Sequence, residues 1–359
     1  MDFSLSEEQE MLQETVRGFV AGECPPSKLR EIFDAGSGTD EAVWQGLIEM
    51  GLGGLLIPED YGGAEMELLD LALVTEVMGG GAVPGPLTGH SLACLALVLG
   101  GSDAQKQRWL PQLAAGEVIG TVALCEEGDS WDPSRWSAVA ASGKLTGGKR
   151  FVPCAQLAQL IVAGTAGGGL ALVEAGAPGV EIKDMGGIDR TRPVSEIRFD
   201  GAACEPIEAG AESAGRLRDG GLVLMAADSF GAATELVRMS VEYAKAREQF
   251  GQPIAQFQAL KHQLARLATD IEPTRALFWY AAYAFDHLPE EAERSAALAK
   301  AHITDRALHT AREAVELHGG LGFTWECDVQ MWFKRTMFNR AFLGTPEVHR
   351  ERCAVLGGW

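Results

Sequence analysis

The chain has 359 residues, is 47% hydrophobic and carries a formal charge of −20. That length supports a large core or two to three packed units, and the acidic balance excludes nonspecific nucleic-acid binding, which needs clustered Lys and Arg to meet phosphates. The longest uncharged apolar run, Ser91 to Gly101, is too short to cross a membrane. The opening MDFSLSEEQE is acidic rather than signal-like. With no CxxC pair among the seven cysteines, the expectation is a cytoplasmic protein with reduced thiols.

Residues 1–116 read as an N-terminal all-α domain. Ser6 followed by EEQE is an N-cap with acidic residues in the first turn, and Met11, Leu12, Val16, Phe19 and Val20 keep a period near 3.6. Further helices are predicted over Glu41–Met50, Leu68–Met78, Leu87–Leu99 and Gln105–Leu113, interrupted by the turn-rich IPEDYGG at Ile57–Gly63. Residues 117–208 change character. Short β-prone runs alternate with Gly and Asp, which predicts an antiparallel sandwich or barrel. Within it, GKLTGGKRFVP reads as a hairpin with Gly147-Gly148 in the turn. Residues 209–359 return to long helices: Gly221–Arg247, His262–Phe285 with a kink at Pro273, Glu290–Gly319, and a last stretch interrupted by FLGTP. The fold class expected is therefore α+β and multidomain, closing in an up-and-down four-helix bundle.

Two short segments carry candidate chemistry. REQFG, Arg247 to Gly251, ends a long helix. An Arg there can pair bidentately with a pyrophosphate, Phe250 can pack on a planar ring, and Gln258 can hydrogen-bond adenine or a phosphate. HGGLGF, His318 to Phe323, offers adjacent glycines that let a ligand approach the backbone. Each segment alone fits an ordinary helix end equally well. No strand precedes HGGLGF, so it is not a Rossmann fingerprint. His302 and His309 share a helix face without clustered acids or Cys, and no metal site is expected.

Together, and in this helix–sheet–helix order, the segments resemble the acyl-CoA dehydrogenase family of FAD flavoproteins. The resemblance runs from SLSEEQEMLQETVRGFV and GLLIPEDYGG, through QKQRWLPQLAAGEVIGTVALCE, to YAKAREQFGQPIAQFQALKHQLA, ELHGGLGFTWE and GTPEVHRERCA. It implies FAD held between the β-domain and the bundle and extended across a subunit interface. Arg247, Phe250 and Gln258 match residues that reach a neighbouring subunit's FAD, and Glu316, Gly319 and Gly320 match the loop on the same adenosine half. Gly344 and Thr345 match the pair that meets the flavin within the subunit. Leu124, Cys125 and Glu126 fall on the strand that touches the isoalloxazine, and Phe151, Val152 and Pro153 on the segment that covers it. The implied reaction removes an α-proton from an acyl-CoA with a carboxylate base and passes the β-hydride to the flavin.

The departures all concern the chain's own pocket. One usual position of the base is Leu343; the other, ten residues before Gly231, is Gly221. Neither can take a proton. Asp228, two helical turns past Gly221 in an apolar stretch, could act as base or could be a buried structural acid. Glu347 fits a structural role. In CEEGDSWDP, Glu127 replaces a proline, while Asp129 and Trp131 bring bulk to the ring site, and Pro153 removes a hydroxyl donor. One reading is the base-lacking subunit of an α2β2 heterotetramer acting on a bulky or steroid-derived acyl-CoA. Others are a homo-oligomeric dehydrogenase using Asp228, or a non-catalytic scaffold of the same fold.

Overall fold

The computed structural model describes residues 4–128, 130–208 and 210–359. Asp129, one of the residues expected to crowd the ring site, lies outside them.

The chain opens with six helices: α1 Glu7–Glu23, α2 Pro26–Ala35, α3 Glu41–Glu49, α4 Leu68–Gly80, α5 Leu87–Gly100 and α6 Asp103–Ala114. Local chemistry sets their starts. Ser6 with Gln9, and Ser102 with Gln105, form capping boxes, and Asp40 accepts from the Val43 amide. The sequence reading missed α2. Its signals were a proline in the first turn, Leu29, Ile32 and Phe33 on one face, and a left-handed Gly36 cap. α4 and α5 have no polar face and are buried nearly all round, so they form the inner layer of this region.

Among the described residues, eight strands follow: β1 Gly120–Ala123, β2 Val139–Ala141, β3 Lys144–Pro153, β4 Leu160–Thr165, β5 Gly169–Glu174, β6 Val180–Asp184, β7 Val194–Ala203 and β8 Glu205–Pro206. They form two four-stranded sheets, ordered β1-β4-β5-β8 and β2-β3-β7-β6. β1 and β4 pair parallel, because the chain crosses to the other sheet between them; the remaining pairs within these sheets are antiparallel. The expected hairpin at Gly147-Gly148 is corrected. The turn is at Ser142-Gly143, with φ of 51° and 72° as a two-residue hairpin turn demands. Gly147 lies inside β3, where a Cβ would stand 2.7 Å from the Ala138 Cβ; that glycine serves close packing.

The C-terminal region contains α7 Gly210–Ala246, the two-residue strands β9 Glu248–Gln249 and β10 Gln252–Pro253, α8 Gln258–Ile271, α9 Arg275–His287, α10 Pro289–Leu317, α11 Val329–Ala341 and α12 Pro346–Leu356. Pro273 does more than kink the second bundle helix. It divides α8 from α9 through a short 3₁₀ turn, Glu272–Thr274. α7 is long and apolar enough to span a bilayer, but 83% of its most apolar window is buried against protein, as in a core helix. It crosses α4 with backbones in contact. A Cβ on Gly79 would lie 2.0 Å from the Asp228 carbonyl oxygen, and one on Gly231 would lie 1.9 Å from that of Glu76. This crossing fixes the height of Gly221 and Asp228 relative to the helical layer.

Candidate functional site

The matched residues separate into an exposed group and a buried group. The exposed group surrounds the end of α7. Arg247 closes the helix, and the Ile254 amide donates to its carbonyl, so the β9–β10 ribbon folds back beside it. At the tip of that ribbon Phe250 has φ 55°, is followed by left-handed Gly251, and is 92% exposed. A large aromatic held out in a strained backbone is costly in isolation and marks a surface that meets something. Gln258 begins α8, exposed, with its amide 3.3 Å from His262 Nε2.

The glycine loop is brought to the same place by a stacked pair. Tyr243, one turn before Arg247, lies 4.3 Å from the His318 ring, and its hydroxyl donates to the His318 carbonyl. His318 Nδ1 donates to the Ala314 carbonyl at 2.7 Å, which sets the tautomer, and burial holds the imidazole below its ordinary pKa and neutral. Glu316, Gly319 and Gly320 are exposed beside it. Backbone amides, a guanidinium and an exposed ring thus share one face, a donor set that fits the pyrophosphate and adenosine half of a dinucleotide.

The buried group has the opposite character. Leu124, Cys125, Leu343 and Gly344 are buried. Glu126 turns into the β-domain, where Lys149 donates to it at 2.6 Å and the Ser137 amide and hydroxyl each at 2.7 Å. Burial opposes that charge, but these partners outweigh it and hold the carboxyl below its usual value. Trp131 packs near Phe151, on the segment expected to cover the flavin ring, and against Phe342, which precedes the Leu343–Gly344 turn. The Trp131 centroid is 6.4 Å from Phe151 and 4.9 Å from Phe342. The line continues through Phe338, 5.1 Å from Phe342, to the Arg192 guanidinium, 4.5 Å above Phe338. This row of rings puts Trp131 beside both Phe151 and Phe342, so an isoalloxazine seated against Phe151 and the Leu343–Gly344 turn would have to displace the indole.

The turn that would carry the base keeps its shape without it. Leu343 has φ 62° and Gly344 φ 103°. Lys300, fully buried, donates to the carbonyls of Asn339, Arg340 and Gly344, and His349 Nε2 donates to the Leu343 carbonyl. Burial, then Lys300, pull His349 down to about 4. The Leu343 side chain lies against Gly221: a Cβ there would stand 2.4 Å from Leu343 Cδ1. The two positions able to hold a base are therefore packed on each other. Glu347 is exposed and pairs with Arg340.

Asp228 is fully buried in an ion cluster. Arg335 donates to both its oxygens, at 2.9 and 2.6 Å, and Asn339 Nδ2 donates at 2.6 Å. Arg192 Nη1 faces it at 3.6 Å without a hydrogen bond. Burial alone would raise the carboxyl, but Arg335 and Arg192 outweigh it and hold it below its ordinary value. Of the two readings of Asp228, these partners support the buried structural acid. A carboxylate saturated by two cations and an amide has neither the basicity nor a clear approach for an α-proton. Beside the cluster, the Pro84–Thr88 turn, α4 and α7 enclose a cavity of about 20 Å³, lined in part by Arg192 and Arg335. That is room for about one water and not for an acyl chain. A larger open cleft of about 420 Å³ is lined by Val20, Leu29, Val77, Gly231 and Trp332, and none of the residues matched to flavin contacts lines it.

Sequence reasoning missed Arg192, Arg335, Asn339, Lys300, His349 and Tyr243. Only Arg192 left a signal, in the alternation Asp189-Arg190-Thr191-Arg192, which reads equally well as a solvated turn.

Comparison with known proteins agrees with this architecture. The model of the acyl-CoA dehydrogenase N-terminal domain matches residues 6–117, and that of the C-terminal domain matches residues 213–355. The chain is 34% identical to the acyl-CoA dehydrogenase IpdE2 of Mycobacterium tuberculosis, over 95% of this chain and 94% of that one. Among solved structures it is similar to a variant of the steroid ACAD Tcur3481-Tcur3483, with TM-score 0.91 and 28% identity over 99% of each chain. It is also similar to the ChsE4-ChsE5 complex from Mycobacterium tuberculosis, with TM-score 0.87 and 27% identity, covering 100% of this chain and 99% of that one. The chain belongs to the acyl-CoA dehydrogenase family, FAD-dependent oxidoreductases that act on the CH–CH bond of an acyl-CoA.

Proposed function

We propose that this chain is the base-lacking subunit of a cytoplasmic two-subunit acyl-CoA dehydrogenase, and that its exposed face completes a flavin site seated in the partner. The observation that carries the reading is Trp131 packed beside Phe151 and Phe342 in this chain's own ring site, while Arg247, Phe250 and Gln258 stand open to solvent. Arg247 would clamp the pyrophosphate, the amides around Gly319 and Gly320 would accept the adenosine half, and Phe250 would pack against the partner or its nucleotide. The FAD, when bound, supplies the hydride acceptor. The base and the acyl pocket would come from the partner, since Leu343, Gly221 and the Asp228 cluster leave this chain with neither. The substrate class we favour is a bulky, steroid-derived acyl-CoA, supported by the likeness to a steroid dehydrogenase pair and to a second two-component complex.

The test is an activity assay on the chain alone and on the chain co-expressed with an adjacent dehydrogenase-like subunit. Dehydrogenation only in the mixed complex supports the reading. Turnover by the chain alone, abolished by Asp228→Asn without unfolding, would overturn it in favour of a homo-oligomeric enzyme.

A further inference from the structure

We propose that the loop from Asp189 to Arg192 is the positioning element for the Gly319-Gly320 turn, acting through Arg190 while its neighbours are fastened beside the chain's own small cavity. The proposal rests on the two-subunit reading above. The loop joins β6 to β7, and its side chains go to two addresses. Inward, Asp189 accepts from the Thr191 amide and hydroxyl and from Arg192 Nε. Arg335 Nη1 donates to Thr191 Oγ1, and Arg192 Nη2 donates to Asn339 Oδ1. The Gly85 amide donates to the Thr191 carbonyl, which ties in the wall of the small cavity. Two arginines and two aspartates balance in charge, so this buried knot holds without an unpaired ion.

Outward, Arg190 goes the other way. Its guanidinium sits 5.1 Å over the Trp325 ring and donates to the carbonyls of Phe33 and Asp34. Lys334 Nζ lies 4.3 Å from the same ring, and the indole N–H donates to Asp34 at 2.7 Å. Arg30 donates to the Trp325 carbonyl. Trp325 follows the glycine turn, which runs Gly319–Phe323 with Thr324 as its cap, and the His318–Tyr243 stack precedes it. Between those anchors Phe323 is 81% exposed, as expected of a segment held ready for an external partner. Residue by residue, one loop seals the cavity on its inner side and braces the nucleotide-facing turn on its outer side.

The experiment uses the tagged chain purified with its partner subunit. Arg190→Ala, Trp325→Ala and the conservative Arg190→Lys and Trp325→Phe are compared for FAD affinity, for acyl-CoA KM, and for kcat with FAD saturating. Both alanine variants are expected to weaken FAD binding about tenfold, the size of a lost cation–π brace. KM stays in place, and added FAD returns kcat toward the wild-type value. Arg190→Lys and Trp325→Phe recover most of the affinity. Wild-type FAD affinity in both alanine variants, with the complex assembled, overturns the positioning role. So does a loss of turnover that saturating FAD leaves unrepaired. A wild-type complex with one flavin in every chain overturns the two-subunit reading itself and is distinguished by its flavin content.

Discussion

The end of α7 and the base turn at Leu343 have the same kind of backbone and opposite surroundings. Phe250 and Leu343 both hold positive φ, at 55° and 62°. At Phe250 the side chain stands in solvent. At Leu343 it is buried against Gly221, under a turn that Lys300 and His349 fasten by its carbonyls. A strained turn survives where surrounding contacts over-determine it. The positive-φ backbone is thus kept at both places, with the side chain exposed at one and buried at the other.

Breaking the closed side should cost the most. Arg335→Met leaves Asp228 buried with Arg192 as its remaining cation and Asn339 as its hydrogen-bond donor, and is expected to lower stability by about 3–5 kcal/mol in urea unfolding. Asp228→Asn is expected to destabilise in the same direction, while any complex that still assembles keeps its turnover. Loss of turnover in a fully stable Asp228→Asn complex would restore the idea of a base there.

Leu343→Glu returns a carboxylate to the usual position but drives it against Gly221 in an apolar site. A cost of about 2–4 kcal/mol is expected, with no activity in the isolated chain. Activity gained by that single change would show the pocket to be open after all.

Changes on the open side should separate binding from folding. Arg247→Ala is expected to weaken FAD binding to the complex about 10–100-fold, through loss of a charge-assisted contact, and to shift the chain's own stability by less than about 0.5 kcal/mol. Phe250→Ala should follow the same pattern more weakly. A large loss of stability in either variant would place these residues in the fold and remove them from the site.

A pH dependence follows from two buried histidines, His349 under the Leu343 turn and His90 against Gly53 and Gly120. His90 and His349 are both buried and both depressed to about 4. The folded protein keeps them neutral while the unfolded chain protonates near pH 6.5. The stability they confer is complete above about 6.5 and is lost as pH falls toward about 4. His349→Gln should flatten that slope in denaturant titrations; an unchanged slope would remove His349 from it.

Much of the fold was legible because it is written locally. Caps such as Ser6 and Ser102, the apolar runs of α4 and α5, and Pro273 act within a few residues. The Gly147 error has a physical source. A glycine pair signals a turn or a close packing contact with equal force, and only the position of Ala138 in space decides. The placement of Arg247, Phe250, Gln258 and the glycine loop was also legible, since they are close in sequence to the helix ends that position them. The closed half was legible only as missing residues. That Leu343 rests on Gly221, that Trp131 joins Phe151 to Phe342, and that Arg192 reaches Asp228 are contacts between distant segments. Asp228 illustrates the limit: a lone acid in an apolar helix looks the same from sequence whether it takes a proton or pairs with Arg335.

The most direct measurement is the flavin content of the purified chain alone and of its complex with the partner subunit, by absorbance against protein concentration. The expected result is no stoichiometric flavin in the chain alone and half as many flavins as chains in the complex. A flavin bound stoichiometrically to the chain alone would contradict the closed ring site, and with it the division of one site between two subunits.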